Sequence, residues 1–329
     1  MKTGRKAALT ACSDPLPGSG REIVEEVAQY LAEKGLIVER SPYLFGCDES
    51  DPGRKKAEVL NGFFKDPEME FIFDVTGGDL ANTVLRYLDF DAVRESKAVF
   101  HGFSDLTTVI NAIASRTGRE AVNYQIRNIA GGTGANGTTG ANGTAGANGT
   151  APAGTAPAGT VPAGTAGQTG IRAVSLEERR QYFDRAVLRH EISPEDLEAR
   201  FVRAGSMRGR VVGGNVRCML KLAGTKYWPD LRGAILLLEA HGGGVNQMTT
   251  MVEQYLELGA AEQINGVLLG TFSRMEEKGM RPGMPEIVLR MFPENIPVAQ
   301  TRFVGHGKDA RAIVIGREIT LNDQERSQR

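Results

Sequence analysis

Three stretches of the chain carry residue types that could do chemistry together. The first is Phe73-Asp74-Val75-Thr76-Gly77-Gly78-Asp79-Leu80-Ala81-Asn82, which runs from an apolar strand pattern through two glycines into the helical spacing of Thr83 to Leu88. Such a turn lifts one side chain from a sheet edge and turns backbone N–H groups toward it. Position 81 is where that side chain is expected, and it holds alanine. The second is Glu239, which ends the apolar run Ala234-Ile235-Leu236-Leu237-Leu238. A carboxylate brought to a sheet edge by so buried a strand either faces water or needs a cationic or imidazole partner. The third is His306 between Gly305 and Gly307. Flanking glycines let the backbone aim the ring into a site, and imidazole is the usual general base near neutrality. An exposed loop histidine is the competing reading. Of the other three histidines, His241 ranks second because it adjoins Glu239, although it is expected to point away from it. His101 ends a strand, and His190 lies by a charged helix. An acid, a histidine and an elbow at strand ends would make the base, orienter and nucleophile positions of a serine-hydrolase set.

The elements that must position these residues are legible in outline. From Lys6 to Arg116 strand and helix patterns alternate: an apolar run at 7–12, a helix over 21–34 ended by Gly35, a strand from Leu36, a helix over 54–65, a strand over 69–75, a strand over 98–103 and a helix over 106–116. This alternation predicts a doubly wound parallel sheet with ligands at the carboxyl ends of its strands, where the loops at Ser13, Gly77 and Ser104 lie. The second half mixes strands and helices less regularly. Ser175 with Glu178 and Ser193 with Asp196 have capping-box spacing. Strands are expected at 211–215, where Gly213-Gly214 marks a tight turn, and at 234–239, 266–272, 298–303 and 312–321, with helices at 246–258 and 284–291. The fold class is therefore α/β, with an N-terminal parallel-sheet domain over 1–130 and a smaller mixed α/β domain over 171–329.

Between them, 131–170 is of another kind, with Gly-X-Y triplets, three copies of Gly-Ala-Asn-Gly-Thr and then Pro-Ala-Gly-Thr repeats. It has almost nothing to bury and reads as a linker or surface insertion rather than collagen, since the triplets are few and lack proline. Its three Asn-Gly-Thr sequons matter only in a secretory route.

Composition narrows the function classes. The chain has 329 residues with 39 basic and 40 acidic side chains, a net charge of −1, so no field is built for nucleic acid or an anionic membrane. Cys12, Cys47 and Cys218 are odd in number and have no metal-ligand spacing, which fits a reducing compartment. No run approaches the roughly 20 apolar residues of a membrane span, and a cytoplasmic location is expected.

The motifs Gly77-Gly78-Asp79-Leu80-Ala81-Asn82, Leu85-Arg86-Tyr87-Leu88-Asp89-Phe90, Gly102-Phe103-Ser104-Asp105-Leu106-Thr107, Gly213-Gly214-Asn215, Ile235 to Glu239 and Gly305-His306-Gly307 resemble, in order, those of the LD-carboxypeptidase family of serine peptidases. The resemblance implies hydrolysis of an L,D bond in a peptidoglycan-derived or other small peptide, a homodimer, and neither metal nor cofactor. It implies Glu239 as catalytic acid, His306 as general base, and backbone N–H groups at Gly77, Gly78 and Asn82 as oxyanion donors. It places the nucleophile position on Ala81, with Asp79 and Ser104 as possible pocket residues and Ser104 packing beside the elbow. On that placement hydrolysis is in doubt, and a non-catalytic homologue that binds or senses muropeptides is the alternative. Thr76 and Thr83 are too far displaced to substitute for a missing hydroxyl.

Overall fold

The computed structural model describes residues 4–131 and 174–323, so the stretch expected to be a linker lies, apart from Gly131, outside the described residues. The described residues form two six-stranded sheets. In the first, β1 (Lys6–Thr10), β2 (Ile37–Arg40), β3 (Met69–Asp74), β4 (Val99–Gly102) and β5 (Ala121–Asn123) are mutually parallel in the order β5-β4-β3-β1-β2. β1, β3, β4 and β5 are almost wholly buried, as their apolar runs require, while the edge strand β2 is open to solvent, with Ile37 51% exposed. Ala8, Ile72 and Phe100 face a cluster with Ala57 and Leu60 of α2 (Pro52–Lys65), following α1 (Arg21–Glu33) in the chain. Ala7, Leu9, Phe71 and Phe73 face the other way, onto Val24, Val27 and Leu31 of α1.

Local chemistry sets the helix limits. Asp51 caps α2 by accepting from the Arg54 amide at 3.1 Å, and Pro52 takes its first position. After a short α3 (Phe90–Glu95), α4 (Thr107–Thr117) stops at Gly118 in the left-handed conformation (φ +71°). Ser175 with Glu178 forms a capping box on α5 (Leu176–Phe183), and Ser193 with Asp196 forms one on the 3-10 turn Pro194–Leu197. Phe183 of α5 is fully buried against Tyr30, Phe73 and Tyr124, so α5 packs on the first sheet.

The second sheet has the order β12-β7-β8-β9-β10-β6, with β6 (Arg200–Arg203), β7 (Ser206–Asn215), β8 (Ile235–Ala240), β9 (Gly266–Phe272), β10 (Val298–Gln300) and β12 (Glu318–Asn322). Its centre, β7 to β10, is parallel, and both edges are antiparallel. The expected strand over 312–321 is two strands. β11 (Ile313–Ile315) crosses to the first sheet and lies antiparallel to β5, and the chain then turns at Gly316 (φ +91°) into β12. The division between the sheets therefore does not follow a single cut near residue 170. Gly213 and Gly214, expected in a tight turn, are instead within β7, whose last residue, Asn215, caps α6 (Val216–Leu220). Among the described residues no helix is long and apolar enough to cross a membrane.

Candidate active site

The turn from β4 into α4 has an uncommon backbone. Phe103 is extended, Ser104 has φ +59°, and Asp105 and Leu106 lead directly into α4. A left-handed serine costs energy that ordinary turns avoid by using glycine, and such strain concentrates where a side chain must be aimed. Gly102 makes the turn possible, because a Cβ there would lie 2.6 Å from the Leu106 Cβ. Gly77 lies against the same serine: a Cβ built on it would be 3.8 Å from Ser104 Cβ and 4.0 Å from its Oγ. β3 and β4 are neighbours in one parallel sheet, so their two carboxyl-end turns meet face to face.

Glu239 and His306 come from the second sheet. Glu239, near the end of β8, is fully buried, with a bulge between Leu238 and Ala240 beside it. Gly270 on β9 leaves it room, since a Cβ there would stand 3.0 Å from Glu239 Cβ and 2.3 Å from the Val304 carbonyl oxygen. The loop after β10 carries His306. Gly305 precedes it at φ +147°, packed so tightly that a Cβ would fall 1.8 Å from Thr271 Oγ1. The imidazole is held edge-on to Phe103 at 4.5 Å between ring centres and stands 4.6 Å from the ring of His241.

Its two nitrogens have different neighbours. Nδ1 lies 3.0 Å from Glu239 Oε2, in contact but short of hydrogen-bond alignment, and Nε2 lies 3.3 Å from Ser104 Oγ. A proton on Nδ1, facing the carboxylate, leaves Nε2 as acceptor for the serine hydroxyl. Long or oblique contacts of this kind are usual before substrate binds.

Ala81 is fully buried at the start of the 3-10 turn Ala81–Tyr87, and its amide donates to Asp105 Oδ2 at 2.7 Å. The hydroxyl that meets His306 is that of Ser104. The stretch 77–82, expected as the elbow, is a supporting loop: Gly77 bridges to Asp14, and Gly78 (φ +131°) lies against the Asp14 side chain. Asp79 points to solvent, where Arg217 holds its carboxyl below the usual range, and Asn82 is exposed. Burial, with the charges of Asp79 and Asp105, raises the carboxyl of Asp14.

Several supports went unread in the sequence. Asp105, fully buried, receives Ser13 Oγ at 2.6 Å and the Ala81 amide on Oδ2, while Lys221 Nζ of the segment after α6 reaches Oδ1 at 2.5 Å. One carboxylate thus joins the Ser13 loop, the Gly77–Ala81 loop and the second sheet's α6 to the residue after Ser104. Asp74 accepts from the Cys12 amide at 2.7 Å and the Thr76 amide at 2.8 Å, fixing the ends of β1 and β3, and its burial raises its carboxyl. Asn111 of α4 exchanges two hydrogen bonds with Gly213, donating at 2.8 Å and accepting at 2.9 Å. A side chain that matches a backbone donor and acceptor at once is a signal visible only in three dimensions.

The remaining histidines separate cleanly. His101 is buried in the first sheet beside Phe71 and Phe73, and desolvation pushes its imidazole down to about 3. His190 sits outside near Glu70 at 3.5 Å. His241 faces solvent beside His306, and partial burial and that neighbour lower its imidazole.

The chain is similar to known proteins over most of its length. Residues 7–124 match the family model described as the LD-carboxypeptidase N-terminal domain, and residues 208–321 match that of its C-terminal domain. A putative carboxypeptidase of Vibrio cholerae is 23% identical, covering 91% of this chain and 86% of its own. The microcin C7 self-immunity protein MccF of Escherichia coli is 20% identical over 82% of this chain and 74% of its own. Its solved apo structure superposes with a TM-score of 0.72 at 17% identity, covering 98% of this chain and 94% of that one. A muramoyltetrapeptide carboxypeptidase from Oxalobacter formigenes gives a TM-score of 0.66 at 18% identity, covering 96% and 94%. MccF has been solved with aspartyl sulfamoyl adenosine, and as an active-site mutant with a serine, an asparagine and a lysine changed to alanine.

Proposed function

The chain belongs to the LD-carboxypeptidase family, and on that premise we propose that it is a working serine-type carboxypeptidase with Ser104 as nucleophile, His306 as general base and Glu239 as the acid that orients the base. One observation carries the reading: a strained serine whose Oγ is 3.3 Å from an imidazole whose other nitrogen is 3.0 Å from a buried carboxylate. The serine in the active-site mutant of MccF is consistent with it. On this reading the alanine at position 81 is no argument for the binding-only alternative.

The chemistry follows from the geometry. Ser104 Oγ attacks the carbonyl carbon of the bond before the C-terminal residue and gives its proton to His306 Nε2. The imidazolium that forms is stabilised by Glu239, whose buried charge then has a formal counter-charge. The tetrahedral oxyanion is met by the Asp105 N–H, next after the nucleophile at the head of α4, and by the N–H groups of the Gly77–Gly78 turn. His306 protonates the departing amine, and water, deprotonated by the same ring, releases the acyl group from Ser104. The substrate we assign is a peptidoglycan-derived peptide ending in an L,D bond.

The test is release of D-alanine from a free tetrapeptide, followed by mass spectrometry. The unaltered protein turns over, and Ser104→Ala falls by on the order of a millionfold in kcat. Turnover that survives Ser104→Ala, or no release at saturating peptide, would refute the assignment.

A further inference from the structure

Beside the loop that carries His306 lies a cavity of about 170 Å³. Its walls are Tyr124 and Asn128 from the segment after β5, Arg179 and Tyr182 of α5, and Phe303 with residues 308–311 on either side of His306. Asn128 Nδ2 donates to the Gly307 carbonyl at 3.3 Å, so this wall is bonded to the residue next to the base.

The charged groups around it are unequally satisfied. Arg311 donates to the Asp196 carbonyl and to Glu198 Oε1 at 3.3 Å, with its guanidinium 3.7 Å over Phe303. Asp309 is taken by Arg302 at 2.8 Å, and Glu178 serves the capping box with Ser175. Arg179 differs. It is 9% exposed, and among the described residues its Nε reaches only the Ser175 carbonyl at 3.4 Å and its buried Nη1 has no hydrogen-bond partner. Lys308, exposed, adds a second positive charge at the rim. A buried guanidinium N–H without an acceptor is costly to keep, and its planar fork fits a carboxylate.

We propose that this cavity is a carboxylate subsite, in which Arg179, helped by Lys308, holds an acidic group of the peptide remote from the bond that Ser104 attacks. The inference rests on reading Ser104, His306 and Glu239 as peptidase machinery, and it names the substrate class as acidic peptides. The cavity borders the base's own loop, so a peptide anchored there is placed in register with the nucleophile.

Ser104→Ala protein, which binds without turnover, allows the subsite to be measured by itself. It is titrated calorimetrically with tetrapeptides ending in an L,D bond that carry glutamate at position one, two or three, each matched by its glutamine counterpart. At one position glutamate binds about tenfold or more tightly than glutamine, the scale of one lost charged hydrogen bond. Adding Arg179→Gln brings the ratio toward one, and adding Lys308→Gln lowers it part of the way. Equal affinities at every position, no binding of any peptide, or a preference that survives Arg179→Gln in folded protein would overturn the subsite. Should Arg179→Gln not fold, an unchanged ratio in Lys308→Gln, a surface change, would do so. If acid-selective binding is found but the unaltered protein releases no D-alanine, the peptidase reading fails and the subsite stands.

Discussion

At the scale of single residues the site depends on Ser104 being a serine in a glycine's conformation. Its φ of +59° costs about 1–2 kcal/mol in a non-glycine residue. Ser104→Gly should therefore unfold at higher denaturant, stabilised by up to about 1 kcal/mol, while losing hydrolysis as completely as Ser104→Ala does. A stability unchanged or lowered by glycine would mean the turn is not strained. Ala81→Ser has the opposite expectation. Position 81 is fully buried and its amide is already committed to Asp105. A hydroxyl there gains no histidine and should cost about 1–3 kcal/mol, read by urea unfolding, with no gain in rate. The chain offers the strand-glycine-helix pattern twice, at 73–83 and at 99–107, and the paired glycines made the first look like the elbow. Sequence spacing cannot say which turn faces His306. That depends on β3 and β4 lying side by side and on the second sheet docking against the turn at Ser104 and against α4.

At the scale of elements, the acid and the base are placed by glycines that deny space to a side chain. Gly305→Ala would bring a Cβ to 1.8 Å from Thr271 Oγ1 in a backbone region that alanine avoids. The loop must shift, and His306 with it. A displacement near 1 Å is enough to lower kcat about a hundredfold. Thermal unfolding checked beside the rate separates this local effect from collapse, and a rate within a factor of a few of the parent would show that the loop tolerates the methyl group. A continuous apolar strand ending in Glu239 and a histidine between glycines are local patterns that singled these residues out, but only the family resemblance gave them roles. β5 was not legible, and β11 was so only as part of one longer strand over 312–321, without its crossing to the first sheet. Each has three residues, and they pair antiparallel across 190 positions of sequence, where no local periodicity can report them.

At the scale of the whole molecule the site exists only because two sheets are bolted together behind it. Asn111 satisfies both the N–H and the carbonyl of Gly213, and Thr107 Oγ1 accepts from the Asn215 amide at 3.0 Å, so α4, the helix that begins just after Ser104, is fixed to β7. On the far side of that junction the first sheet buries His101, and this makes global stability depend on pH. Nδ1 donates to the Val99 carbonyl at 3.0 Å, and the rings of Phe71 and Phe73 exclude water, so the folded imidazole titrates only near about 3. An unfolded histidine titrates near about 6.5. Between those values the unfolded chain holds a proton that the folded chain lacks, so stability rises with pH through the window and its full contribution is present above about 6.5. The slope is about 1.4 kcal/mol per pH unit for this one group. His101→Gln keeps a donor for Val99 and removes the titration. Urea unfolding at pH 7.5 and pH 5 should show the parent losing about 2 kcal/mol more than the variant over that interval. Equal losses would mean that the imidazole is protonated in the folded sheet, and that the strand leading to Ser104 is less sealed from water than its packing implies.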